Sequence, residues 1–191
     1  MGLLLRADGR CMRPAWFRAA ASAMTCVVVG WFAFGRGERV PILGHVDLGF
    51  HELGHLVTYP LPWDVVTAVM GSVTQVLVPL GLAAYFVLIR RELPSAALCL
   101  AWAGGSARDV SVYIADAPHE ALPLIGGSHD WAFILERHLD WAAPLATAVS
   151  RGGFLLVVAG VLLATASPWL RRARRSAPSF EALTAPITVV S

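Results

Sequence analysis

One stretch of this chain limits the folds open to it more than any other. Residues 42–59 read ILGHVDLGFHELGHLVTY, so His45, Asp47, His51, Glu52 and His55 interrupt a run that is otherwise apolar. Ionisable groups are costly in lipid, so this segment must turn them toward protein or water. On a helix, His51 and His55 lie four residues apart and share a face. Both imidazoles can then reach one metal ion, and Glu52 can reach a water bound to it. Asp47 sits four residues before His51 on the same stripe. There it either orients an imidazole or pairs locally with Arg36 or Arg39. His45 falls off the stripe and reads as structural.

The rest of the chain sets the medium. Of 191 residues, 57% are hydrophobic and 15% charged, and the mean hydropathy is +0.62, well beyond a soluble domain. The expected fold class is all-α: an integral membrane helical bundle of about four to five membrane helices, with the HELGH helix enclosed by the others. Residues 1–175 form one membrane-embedded domain and residues 176–191 a flexible C-terminal tail. Full spans are expected at about Ala15 to Phe34, Val65 to Ile89, Ser95 to Ala117 and Gly152 to Leu170. Pro79 should kink the second of these near Gln75, because it has no N–H for the Gln75 carbonyl. The stretch from Pro118 to Trp141 mixes charge, histidine and aromatics and is expected at or outside the interface.

Arginines cluster at Arg6, Arg10, Arg13 and Arg18, at Arg90 and Arg91, and at Arg171, Arg172, Arg174 and Arg175. Each cluster flanks an apolar run, so membrane orientation is the reading and nucleic acid is not a partner. All three fall on one side only if residues 42–59 dip in and return or form a buried partial helix. The expectation is therefore an integral protein of the plasma (inner) membrane, with the lipid bilayer as its partner and both termini cytoplasmic. Cys11, Cys26 and Cys99 have no CxxC spacing and pack as small hydrophobes. Trp102, Trp131, Trp141 and Trp169 suit interfacial belts.

A catalytic zinc needs a third protein ligand. His129 and Asp130, in GGSHDW, are the preferred candidates, and Asp109 and Asp116, seven residues apart on one helical face, are their rivals. Arg108 is expected to pair with Asp109 at membrane depth. Gly71, Ser72 and Gln75 on the long second span either hold a substrate backbone or serve helix packing.

These residues resemble the membrane-embedded zinc metallopeptidases of the site-2 protease type, whose helix carries HExGH. His51, Glu52, Gly54 and His55 match it residue for residue. The resemblance implies one zinc ion per chain, held by His51 and His55, with Glu52 as general base and a transmembrane protein as substrate. That family takes its third ligand, an aspartate, from a later LDG-like segment. This chain has no LDG; its nearest analogue runs from Asp109 through LPLIGGSHDW. The competing reading is a non-proteolytic metal-binding membrane protein, a transporter or an assembly factor. A metzincin is excluded because Thr58 and Leu61 stand where its glycine and histidine would be. A di-iron hydroxylase lacks its histidine boxes.

Overall fold

The computed structural model describes residues 5–124 and 128–176. The tail expected at 176–191 lies almost wholly outside them. Among the described residues every regular element is helical: α1 Leu5–Gly30, α2 Leu43–Thr58, α3 Asp64–Leu88, α4 Leu93–Asp116, the short α5 Asp130–Ile134 and α6 Ala142–Ser176. Among the described residues, three stretches are long and apolar enough to cross a membrane: Ala15–Arg36, Asp64–Leu88 and Leu139–Ala173. The last begins well before the expected Gly152, because Ala142–Ser150 continues the same helix.

α4 is the central element. Its Ala96, Ala97, Ala101, Gly104 and Ala107 are buried, and such small side chains let neighbouring backbones approach closely. α6 packs along it, while α1 and α3 flank it. The other faces of these helices are apolar and open. On α3 they carry Val65, Val66, Leu77, Leu82 and Leu88, as a lipid-facing surface requires.

Two features set the depth of everything else. Glu92, in the turn between α3 and α4, is ion-paired with Arg18 of α1 and lies 3.9 Å from Arg171 of α6. Trp16 meets Trp169 edge to face at the same level. The three arginine-rich regions therefore gather at one end of the bundle.

The chain between α1 and α2 does the opposite of what a simple hairpin would do. A π-helical turn, Trp31–Arg36, closes α1, and the chain then folds back inward. Val40 and Leu43 pack against the cluster of Cys26, Val29, Ala97 and Ala101, between the last turns of α1 and the first turns of α4. Ile42 is held at φ 68° in this turn, a conformation that costs a β-branched residue of order 1–3 kcal/mol. α2 then runs outward, antiparallel to α3. Gly44, Asp47, His51, Gly54 and Thr58 form its buried stripe, while Val46, Leu53, Leu56 and Val57 on the opposite face are open.

Candidate metal centre

Gly54, the glycine of HELGH, is what brings α2 onto α3. A β-carbon there would lie 2.7 Å from the Met70 carbonyl carbon and 2.7 Å from Thr74 Oγ1, so only glycine permits this backbone approach. With α2 seated, His51 and His55 face a matching stripe of α3 formed by Thr67, Gly71 and Gln75, spaced four residues apart. His51 Nδ1 lies 2.9 Å from Gln75 Oε1, and His55 Nδ1 lies 2.8 Å from the Thr67 carbonyl oxygen. Gln75 Nε2 is directed to the Ser106 carbonyl and hydroxyl oxygens, at 3.4 and 3.3 Å. The amide oxygen is therefore the atom turned to His51. Gly71 sits between these two acceptors, and a β-carbon on it would lie 2.7 Å from His51 Nε2 and 2.6 Å from His55 Nε2.

The third member comes from the far side of the cavity. Asp130, the first residue of α5, places Oδ2 3.1 Å from His51 Nε2 and 3.2 Å from His55 Nε2. Tyr113 fixes it twice: its hydroxyl donates to Asp130 Oδ2 at 3.2 Å and accepts the Asp130 N–H at 3.0 Å. Burial pushes the Asp130 carboxyl upward, but its interactions with His51 and His55 outweigh it and hold the carboxyl below the ordinary aspartate range. It is thus an ionised oxygen donor at neutral pH.

His51, His55 and Asp130 offer three donor atoms within 4.8 Å of one another, a group able to hold a metal ion. The chemistry of the donors fits one. Each imidazole stands between two acceptors, a carbonyl oxygen at Nδ1 and a carboxylate oxygen at Nε2, yet a neutral imidazole has one N–H. With Nδ1–H given to the carbonyl, both Nε2 lone pairs point at a carboxylate. Only a cation or two extra protons reconcile that arrangement. Imidazoles oriented by a carbonyl at the remote nitrogen are the usual support of a metal ligand.

The other candidates go elsewhere. His129, an expected ligand, is not in the group. Its Nδ1 accepts the Ala132 N–H and caps α5, its Nε2 lies 3.4 Å from Asp116 Oδ2, and its ring stacks on Tyr113 at 4.3 Å. Capping turns His129 away from the cavity and its neighbour Asp130 toward it. Asp116 also accepts the N–H groups of Ala121 and Leu122, which closes the loop after α4. Asp109 faces Arg39 at 3.8 Å, whereas Arg108 donates to Ser111 Oγ; the expected Arg108 and Asp109 pair is replaced by one between α4 and the turn that precedes α2. Asp47 does not reach an imidazole, because Trp102 Nε1 claims its Oδ1 at 2.7 Å. Arg36 pairs with Glu38. Trp131 likewise turns inward and donates to Ser72 Oγ at 3.0 Å.

Gln75 proves to be a partner of His51 and Ser106. Ser106 also donates to the Gln75 carbonyl oxygen at 3.0 Å, the group that Pro79 leaves without its helical N–H. One proline thus creates the acceptor that ties α3 to α4 beneath the site. Three residues escaped notice in the sequence: Thr67, Tyr113 and Ser106. Thr67 left no signal in the sequence, because it meets His55 through its main-chain carbonyl, a group that every residue carries. Glu52 is exposed on α2 and lines, with the metal group, a cavity of about 880 Å³ that also reaches Asp47 and Asp109. The chain matches no protein-family model, no curated protein and no solved structure.

Proposed function

We propose that this protein is an intramembrane zinc metallopeptidase. The observation that carries the reading is the convergence of His51 Nε2, His55 Nε2 and Asp130 Oδ2, with both Nδ1 atoms turned to carbonyl oxygens. Two imidazoles and one carboxylate with room beside them make an open zinc site. One zinc ion per chain, held by His51, His55 and Asp130, would supply Lewis-acid polarisation of a water molecule and a peptide carbonyl. Glu52, beside His51 and facing the cavity, accepts the proton of the attacking water. It delivers that proton to the amide nitrogen as the C–N bond breaks. His51, His55 and Asp130 hold the reacting centre in place, while Tyr113, Gln75 and the Thr67 carbonyl prevent their rotation.

The topology that goes with this reading has four spans, α1, α3, α4 and α6, with α2 as a re-entrant helix. α2 is 16 residues long, about 24 Å, which is short of a hydrocarbon core of about 30 Å. It is enclosed by protein on its polar stripe and meets lipid with Val46, Leu53, Leu56 and Val57. Four spans put both termini on one side, the cytoplasmic side by arginine content. A substrate helix in the bilayer must unwind locally before its carbonyls are accessible, and the cavity beside α2 provides polar walls for it.

The test is metal content and cleavage measured together. The purified chain should carry one zinc, and Glu52→Gln should keep the zinc while cleavage of a transmembrane reporter falls by about 10²- to 10⁴-fold. A chain that takes up no metal, or a Glu52→Gln variant that cleaves as wild type does, overturns the reading. Asp47 and Asp109 on the same cavity favour a second reading, a non-proteolytic metal carrier. In that case Asp109→Asn abolishes function and Glu52→Gln leaves it unchanged.

A further inference from the structure

We infer that the metal centre is reached from the side of the membrane opposite the arginine-rich end. Its substrate is then a peptide segment displayed at the non-cytoplasmic face. The substrate part of this inference rests on the metallopeptidase reading; the side of access concerns the metal group alone.

Three independent observations meet here. The first is charge. Ten of the fifteen arginines, Arg6, Arg10, Arg13, Arg18, Arg90, Arg91, Arg171, Arg172, Arg174 and Arg175, belong to the three regions that gather at one end. By the positive-inside rule that end is cytoplasmic.

The second is depth along α3, whose Leu88 end lies beside Glu92 and the arginines. His55 is anchored at Thr67 and His51 at Gln75, three and eleven residues from the start of α3 at Asp64. At 1.5 Å per residue these anchors lie about 5 and 16 Å from the far end, whereas Gln75 is about 20 Å from the arginine-side end. The metal group therefore occupies the far half of the bundle.

The third is the way in. The lining of the cavity includes Tyr59, Asp64, Leu122, Pro123, Ser128 and Phe133, which come from the start of α3, from α5 and from the turns at the far end. Residues 37–42 enter from that same end and α2 returns to it. The packing of Val40 and Leu43 on Cys26, Val29, Ala97 and Ala101 fills the bundle below the site toward the arginines. A substrate arriving from the cytoplasmic side would have to displace this core.

A sided chelation experiment tests the inference on the full chain in a bacterial inner membrane. Spheroplasts expose the outer face and inverted vesicles the inner face. Each is loaded with zinc and treated with EDTA, which does not cross the bilayer, and then washed before zinc per chain is measured. Zinc should fall at least tenfold in spheroplasts and stay unchanged in inverted vesicles. Loss in inverted vesicles, alone or together with loss in spheroplasts, overturns the inference and leaves the metallopeptidase reading standing. No zinc before chelation overturns both.

A second measurement decides if the ion resists EDTA on either side. With Cys11, Cys26 and Cys99 replaced by alanine, Tyr59→Cys at the cavity edge and Arg90→Cys at the other end are treated with a membrane-impermeant maleimide. Both positions are exposed. Tyr59→Cys should label in spheroplasts and Arg90→Cys in inverted vesicles; the reverse pattern overturns the inference.

Discussion

Replacing Gly71 with alanine adds one methyl group at the point where both ligand nitrogens meet α3. Its β-carbon would lie 2.7 Å from His51 Nε2 and 2.6 Å from His55 Nε2, against about 3.5 Å for an ordinary contact, so both rings must retreat by about 0.8 Å. Thr67 and Gln75 flank Gly71 on the same stripe of α3. Retreat from one is retreat from the others, and hydrogen bonds of 2.8 and 2.9 Å would be stretched past a useful length. Two lost hydrogen bonds cost about 1 kcal/mol each, offset by about 1 kcal/mol of helix propensity gained by Gly→Ala. The metal-free protein should therefore lose about 1 kcal/mol of stability. Metal binding should not escape, because loss of the groups that orient the ligands costs about 10- to 100-fold in affinity.

At a free zinc concentration of one hundred times the wild-type Kd, binding stabilises the fold by about 2.7 kcal/mol; a hundredfold weaker site leaves about 0.4 kcal/mol. Thermal melts in detergent with and without zinc, paired with a chelator competition, measure both terms. Gly81→Ala is the control, since the same helix offers its β-carbon open space and zinc binding should be untouched. Wild-type zinc affinity in Gly71→Ala would refute the placement of the donors.

Asp130→Asn should lose the ion, whereas Asp109→Asn should keep it, because Asp109 faces Arg39; equal zinc content in the two variants contradicts the assignment. His129→Ala should weaken zinc binding by about tenfold, or about 1.4 kcal/mol, because it removes the cap that turns Asp130 inward. His129→Asn keeps a capping oxygen and should restore most of the loss, a rescue that a directly ligating His129 would not show. At the other end of the bundle, the hydroxyl of Ser95 and the Arg18 guanidinium hold Glu92 below the ordinary glutamate value. A carboxyl depressed in the fold adds stability above its unfolded pKa and loses it as pH falls through the folded value. Melting temperature should therefore drop on acidification below about 4.5, and Glu92→Gln should flatten that dependence; an unchanged slope in the variant removes Glu92 as the cause.

The helices and their medium were legible along the chain because they follow from local rules. Apolar runs of membrane length, a period near 3.6 and proline breaks need no knowledge of partners. The edges moved where neighbours intervened. α6 starts ten residues before the expected Gly152, since Ala142 and Ala146 are buried against the bundle and extend the helix beyond the apolar run.

His51 and His55 could be placed together from the sequence because their geometry lies within one helix, where a spacing of four fixes the face. The third donor could not. Asp130 is 75 residues beyond His55, and the rivals His129, Asp109 and Asp116 carry equally suitable chemistry. What separated them was packing: His129 spends its Nδ1 on the cap of α5, and Tyr113 grips Asp130 from α4. The same holds for Gln75, whose side chain reads as helix glue until α2 is seated on α3 through Gly54. Local periodicity is written in consecutive residues, whereas coordination depends on which distant side chains are left pointing at the same point once the helices have packed.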